Sequence, residues 1–295
     1  MNAVPEIPAM SATRPMYWSV RRELWENRSL YIAPLAVVAF VLFGFLISTI
    51  GMPHRRQATL MLDPAKQRAA IGMPYDVAAT MLILTALIVG AFYCLDALHG
   101  ERRDRTILFW KSMPVSDRTT VLSKASVPLV VLPVITFAII VTAQFIMLLW
   151  SSVVLLPSGL AATTWMRFNW LQHSLMLLYG LIVLALWHAP VYGWLLLVSA
   201  WARRATFLWA VLPPFAIGVL EKIAFNSSLF AFALQYRLMG GLEEAFAFKA
   251  HGRIDSLTQL TPLKFLSTPN LWTGLGFAAL FLAGAVRLRR NREPI

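Results

Sequence analysis

Six apolar runs govern what this 295-residue chain can become: Leu30–Ile50, Val77–Leu98, Val127–Trp150, Ser174–Trp201, Thr206–Phe225 and Leu271–Val286. About 20 apolar residues in helical form cross the ~30 Å hydrocarbon core of a bilayer. Five of the runs are long enough outright, and the sixth borrows residues from the Phe265–Asn270 side. In lipid a segment must satisfy its own backbone, so runs of this length are helices. Charged residues make up only 14% of the chain, against roughly a quarter in soluble domains. The expectation is an all-α membrane protein with six transmembrane helices.

The flanks set the orientation. Sixteen Lys and Arg residues lie on the side holding Arg14, Arg21, Arg22, Arg28, segment 99–126, Arg203, Arg204 and the run after Val286; nine lie on the other side. Basic flanks stay in the cytoplasm, so both termini are expected there, in a multi-pass protein of the bacterial inner membrane. The first external loop, with Arg55, Arg56, Lys66 and Arg68, argues mildly the other way. These flanks also explain the formal charge of +12 without nucleic acid. One cysteine, Cys94, excludes an internal disulfide. No cleavable leader is expected, because the first 29 residues lack a hydrophobic core segment.

Three divisions follow: a cytoplasmic N-terminal segment 1–29, a single six-span domain 30–288, and a cytoplasmic tail 289–295. Within the first, Met16–Arg28 forms an amphipathic helix, with Tyr17, Trp18, Val20, Leu24 and Trp25 on one arc and Arg22, Glu23, Glu26 and Asn27 opposite. Such a helix lies in the interface plane. Between the fifth and sixth spans, segment 226–270 contains an apolar stretch interrupted at Gly240-Gly241. It reads as a pair of helices lying on or dipping into the outer leaflet.

The stretch Gly100–Lys124 is wedged between the second and third spans and reads GERRDRTILFWKSMPVSDRTTVLSK. Charged residues at Glu101, Arg102, Arg103, Asp104 and Arg105 cannot sit in the bilayer centre, where each costs at least ~2.5–3.5 kcal/mol. Ile107-Leu108-Phe109-Trp110 is too apolar for an idle loop. A short helix with charged ends and an aromatic patch at the membrane surface suits docking to a soluble partner. Pro114 ends that helix, and Ser116 or Asp117 caps the next.

This stretch resembles the cytoplasmic coupling segment of ABC-2 type ABC transporter permeases. The resemblance is carried by the acidic-basic cluster Glu101-Arg102-Arg103-Asp104, the turn Thr106-Ile107-Leu108, the run Ser112-Met113-Pro114-Val115-Ser116, and Lys124. Where the family often has glycine before the threonine, this chain has Arg105. The resemblance implies a coupling helix within 99–124, an amphipathic helix ahead of the first span and re-entrant helices before the last. It also implies an exporter working as a homo- or heterodimer with a second permease copy or paralogue, driven by separate ABC ATPase subunits. The implied ATPase-coupling residues are Glu101, Arg102, Arg103, Asp104, Thr106, Ile107, Leu108, Phe109, Trp110 and Pro114.

No phosphate-cradling Gly-x-x-x-x-Gly-Lys-Ser/Thr loop occurs, so Mg-ATP is expected only in the partner ATPase. The chain itself is expected to need no cofactor, no metal and no catalytic residue. Gln144 and His188, polar groups within spans, are the substrate-path candidates, each weighed against a plain helix–helix hydrogen bond. Asp96 is expected to pair with Arg102 or Arg103. Pro190 is expected to kink the fourth span and Pro213-Pro214 to break the fifth. The path's residues suggest a hydrophobic or amphiphilic substrate. Two other classes stay open: a scaffold transmitting ATPase work without transport, and an intramembrane enzyme using His173 or His188.

Overall fold

A computed structural model describes residues 13–106, 115–247, 254 and 256–291. Among these residues there is no strand, only an isolated antiparallel bridge between Phe246 and Leu260. The helices are α1 (Thr13–Glu26), α2 (Ser29–Ser48), α3 (Met52–Leu60), α4 (Pro64–Ala97) and α5 (His99–Arg103), then α6 (Asp117–Ser126) and α7 (Leu132–Leu155). There follow α8 (Ala162–Arg167), α9 (Trp170–Trp201), α10 (Thr206–Phe225), α11 (Leu229–Met239), α12 (Gly241–Ala245), α13 (Pro262–Ser267) and α14 (Pro269–Asn291).

Six helical stretches are long and apolar enough to cross a membrane: Ser29–Ser48, Pro64–Arg103, Asp117–Ser158, Trp170–Trp201, Thr206–Phe225 and Pro269–Asn291. Each contains, or nearly coincides with, one of the six apolar runs. Where the first external loop was expected, helix replaces loop: α3 forms and α4 starts at Pro64, a residue suited to the first helical turn. Gln67 ties the two by donating to the Leu60 and Leu62 carbonyls at 2.9 and 2.8 Å. Between α6 and α7, residues Val127–Val131 form a π turn at Pro128, a residue that cannot donate to the ladder.

The spans differ sharply in how much protein surrounds them. In α9, 56% of the most apolar window is buried; in α10, 6%. The α9 helix is the hub, and it packs closest on α14. At Gly193 a β-carbon would stand 3.3 Å from the Ala278 Cα, so only a minimal residue permits this approach. Pro190 lies inside the unbroken α9.

The fifth span is a correction. Pro213-Pro214 do not break it, and α10 runs continuously from Thr206 to Phe225. Pro214 has no N–H for the Ala210 carbonyl four residues back. The Trp194 indole of α9 donates to that carbonyl instead, at 3.0 Å. Ala210 is also the one buried residue of the helix.

At the far end from segment 99–126, the chain breaks at Gly240 into α11 and α12, as the Gly-Gly pair suggested. Trp187 of α9, fully buried, anchors this cap. Tyr236 meets its ring edge-on at 5.5 Å, the Arg237 guanidinium lies 4.5 Å over it, and Gly241 has no room for a β-carbon against it. Glu244 accepts from the Tyr236 hydroxyl at 2.6 Å and pairs with Lys264 at 3.1 Å, which holds its carboxyl below the usual range.

Candidate functional site

The charged stretch at the end of the second span does not fringe the fold; half of it is built into the fold. The α5 helix follows α4 after one non-helical residue, and four consecutive residues on a 3.6-residue turn must face different directions. Glu101 and Arg102 turn inward, 8% and 4% exposed, while Arg103 and Asp104 face out with more than half of each side chain accessible.

Glu101 is the centre of an ion network. One carboxylate oxygen accepts from Arg22 at 2.9 Å and Lys124 at 3.1 Å; the other accepts from both terminal nitrogens of Arg289, at 3.2 and 3.3 Å. Glu23, 1% exposed, is the second acid. It accepts from Lys124 at 2.8 Å, Arg22 at 3.1 Å and the Tyr93 hydroxyl at 2.8 Å. Asp117 completes the set by accepting from Arg289 Nε at 3.3 Å. Three acids therefore face three bases, drawn from α1, α5, α6 and α14, with the Tyr93 hydroxyl of α4 joining them. Removing one partner of such a set leaves a buried charge uncompensated, at a cost of about 3–5 kcal/mol.

Arg102 adds the fourth span. Its guanidinium donates to the Ala200 and Ala202 carbonyls at 2.7 and 3.2 Å, the last turn of α9, where helix carbonyls lack intrahelical donors. Ser199 accepts from the Leu98 and His99 amides at 3.0 and 2.9 Å, fastening the α4–α5 junction to the same turn. Outside the network, Arg103 pairs with Asp104 at 3.0 Å and Asp96 at 3.6 Å, the second an expected partnership. The Arg103 contact holds the exposed Asp104 carboxyl below its usual range.

Two backbone details frame the segment. Arg105 has φ of 57°, the left-handed region in which a β-carbon is crowded and glycine is free. It occupies the position where the ABC-2 resemblance expects glycine. Ser116 caps α6 by accepting from the Thr119 amide at 3.1 Å. Thr106 donates to the Glu101 carbonyl at 3.4 Å. Ile107, Leu108, Phe109, Trp110 and Pro114 lie outside the described residues.

The two substrate-path candidates part company. Gln144 is fully buried and donates to the Tyr75 carbonyl at 3.2 Å, tying α7 to α4. His188 lines a mainly apolar cavity of about 560 Å³ bounded by α4, α9, α11 and α12. Its Nδ1 donates to the Leu184 carbonyl at 2.9 Å. His173, 3.7 Å from Asp76, stands on the wall of the same cavity. Among the described residues no three His, Cys, Asp or Glu side chains cluster as a metal site.

Sequence reasoning passed over Glu23, Tyr93 and Arg289, and valued Lys124 only as part of a motif. The wheel for the N-terminal helix correctly separates Glu23 from the tryptophans. Yet Glu23 of the polar arc is buried in the bundle and Leu24 of the apolar arc packs on its core, while Tyr17, Trp18 and Trp25 are each more than half exposed. Arg21 lies over the Trp18 and Trp25 rings at 5.2 and 4.7 Å, as a snorkelling side chain does. No protein-family model matches the chain, and neither a curated protein nor a solved structure matches it significantly.

Proposed function

We propose that this chain is the permease subunit of an ATP-driven ABC-2 type exporter, moving a hydrophobic or amphiphilic substrate with energy from a separate ATPase. The observation that carries the proposal is the Glu101-centred network. It joins the residues flanking segment 107–114 to the N-terminal helix and to the ends of the second, third, fourth and sixth spans. A load applied to 107–114 is then shared by the bundle rather than absorbed by a loop. Such stiffness suits a lever and is wasted on a linker.

Other features support parts of this reading. The basic excess supports a cytoplasmic side for segment 99–126 and both termini, the side on which an ATPase would meet it. The α1 helix turns its aromatic arc outward, as a helix bedded in the headgroup layer does. The nearly unburied α10 offers a long apolar face to lipid or to a second permease copy. The cavity beside His188, apolar with Asp76 and His173 at its wall, suits an amphiphile.

The test is co-purification. Tagged chain taken from its membrane in mild detergent should carry an ABC ATPase, identified by its phosphate-loop peptides, and should hydrolyse ATP. Purified free of that partner, it should not. Phe109→Ala with Trp110→Ala should lose partner and hydrolysis together, because truncated aromatic anchors often cost 2 kcal/mol or more. Arg14→Ala should keep both. A double variant that still assembles and transports like its parent removes the main support for this function. Assembly with ATP hydrolysis but no substrate movement would instead favour the scaffold.

A further inference from the structure

A groove of about 1090 Å³ runs between α6 and the last turns of α14, apart from the His188 cavity and sharing only Asp117 with the ion network. Its rim carries Arg118, Arg287 and Arg290, all exposed. None of the three forms an ion pair with another described residue. Asp117, the rim's one carboxylate among the described residues, is engaged by Arg289. Below the rim the wall is apolar: Leu122 of α6 faces Ala279, Leu282, Ala283 and Val286 of α14. From Arg287 to Ala279 the helix descends about 12 Å at 1.5 Å per residue, so the groove passes from headgroup level into the hydrocarbon.

We propose that this groove binds one anionic phospholipid, its phosphate held by Arg118, Arg287 and Arg290 and an acyl chain laid along the Ala279–Ala283 wall. The charge argues for an anion, since guanidinium groups match phosphate oxygens two at a time. The wall argues for a lipid over free phosphate, because an inorganic anion gains nothing from an alanine-lined slot within the bilayer. Basic pockets between spans at the cytoplasmic face are suited to such headgroups. The small side chains at Ala279 and Ala283, one turn apart, give the chain a flat bed. The bound lipid's negative charge offsets part of the mutual repulsion of the three arginines, and it bridges the third and sixth spans.

Native mass spectrometry of the detergent-solubilised full chain tests this, with dioleoyl-phosphatidylglycerol, dioleoyl-phosphatidylcholine and inorganic phosphate as probes. The parent should retain one phosphatidylglycerol in preference to phosphatidylcholine, and millimolar phosphate should not displace it. Each of R287Q and R290Q should weaken retention by about fivefold, and R118Q with both should bring it to the phosphatidylcholine level. A283W, which fills the slot while leaving the arginines, should also abolish it. R68Q with R167Q, at the other end of the bundle, should change nothing. Equal retention of the two lipids, or parent-like binding by the arginine variants, overturns the proposal. Displacement by phosphate together with normal binding by A283W overturns it in favour of a bare anion site. Should the triple variant aggregate, the single exposed-arginine variants carry the decision.

Discussion

Arg105 sits in a backbone conformation that disfavours any residue with a β-carbon. Replacing it with glycine should therefore stabilise the chain by about 0.5–1 kcal/mol, read as a raised thermal midpoint in detergent. An unchanged or lowered midpoint would mean that the side chain contributes more than the strain costs. Glu101 is the opposite case. Glu101→Gln keeps the shape but leaves Lys124 and Arg289 facing an uncharged group, and should cost about 3–5 kcal/mol. Arg103→Gln, at the exposed neighbour, should cost less than about 1 kcal/mol, and equal losses at the two positions would refute this division. The sequence shows four adjacent charges here, and adjacency alone does not say which face the bundle. That depends on where Lys124 and Arg289 arrive, 23 and 188 residues later. The inward pair was therefore not legible, whereas the pairing of Asp96, local to one helix end, was legible as far as a choice between Arg102 and Arg103.

Among elements, the spans were the legible part, because length and apolarity act within a single helix. The break at Gly240 was legible too, since a Gly-Gly pair weakens helix wherever it lies. The fifth span was misread because the partner that rescues Pro213-Pro214 comes from another helix. Trp194→Phe removes the donor to the Ala210 carbonyl and should cost about 1–3 kcal/mol, the penalty for a buried acceptor left unmet. Amide exchange should rise in α10 around Pro213 and Pro214 while α9 stays protected. Uniform exchange across both helices would mean that the indole bond does not hold the fifth span together. The N-terminal helix shows the converse limit: its two arcs were legible, but which residues of each met protein was not. A wheel reports segregation and stays silent on which medium each arc meets.

For the whole molecule, an even number of spans puts the N-terminal helix, segment 99–126 and the C-terminal helix at one end. The contacts of Glu101 with Arg22 and Arg289 require the same arrangement. Single cysteines introduced at Ser11 and Asn291 into a Cys94→Ser background should resist a membrane-impermeant maleimide in intact cells. Those at Ser158 and Ser256 should react. Labelling at Ser11 or Asn291 would reverse the orientation drawn from the basic flanks, although not the six-span path. That path was written in the chain's hydropathy; the fastening of its ends was not, because ion partners from remote segments leave no local pattern.

The ion network also orders events during synthesis. Glu101 emerges from the ribosome 188 residues before Arg289, an interval of roughly 10–40 s at ordinary translation speeds. Once Lys124 has followed, Glu101 has two of its three basic partners for the rest of that time, and the bundle's charged end stays one base short. Arrival of α14 completes the set. A chain that stalls before residue 289 thus carries Glu101 and Asp117 without the arginine they share.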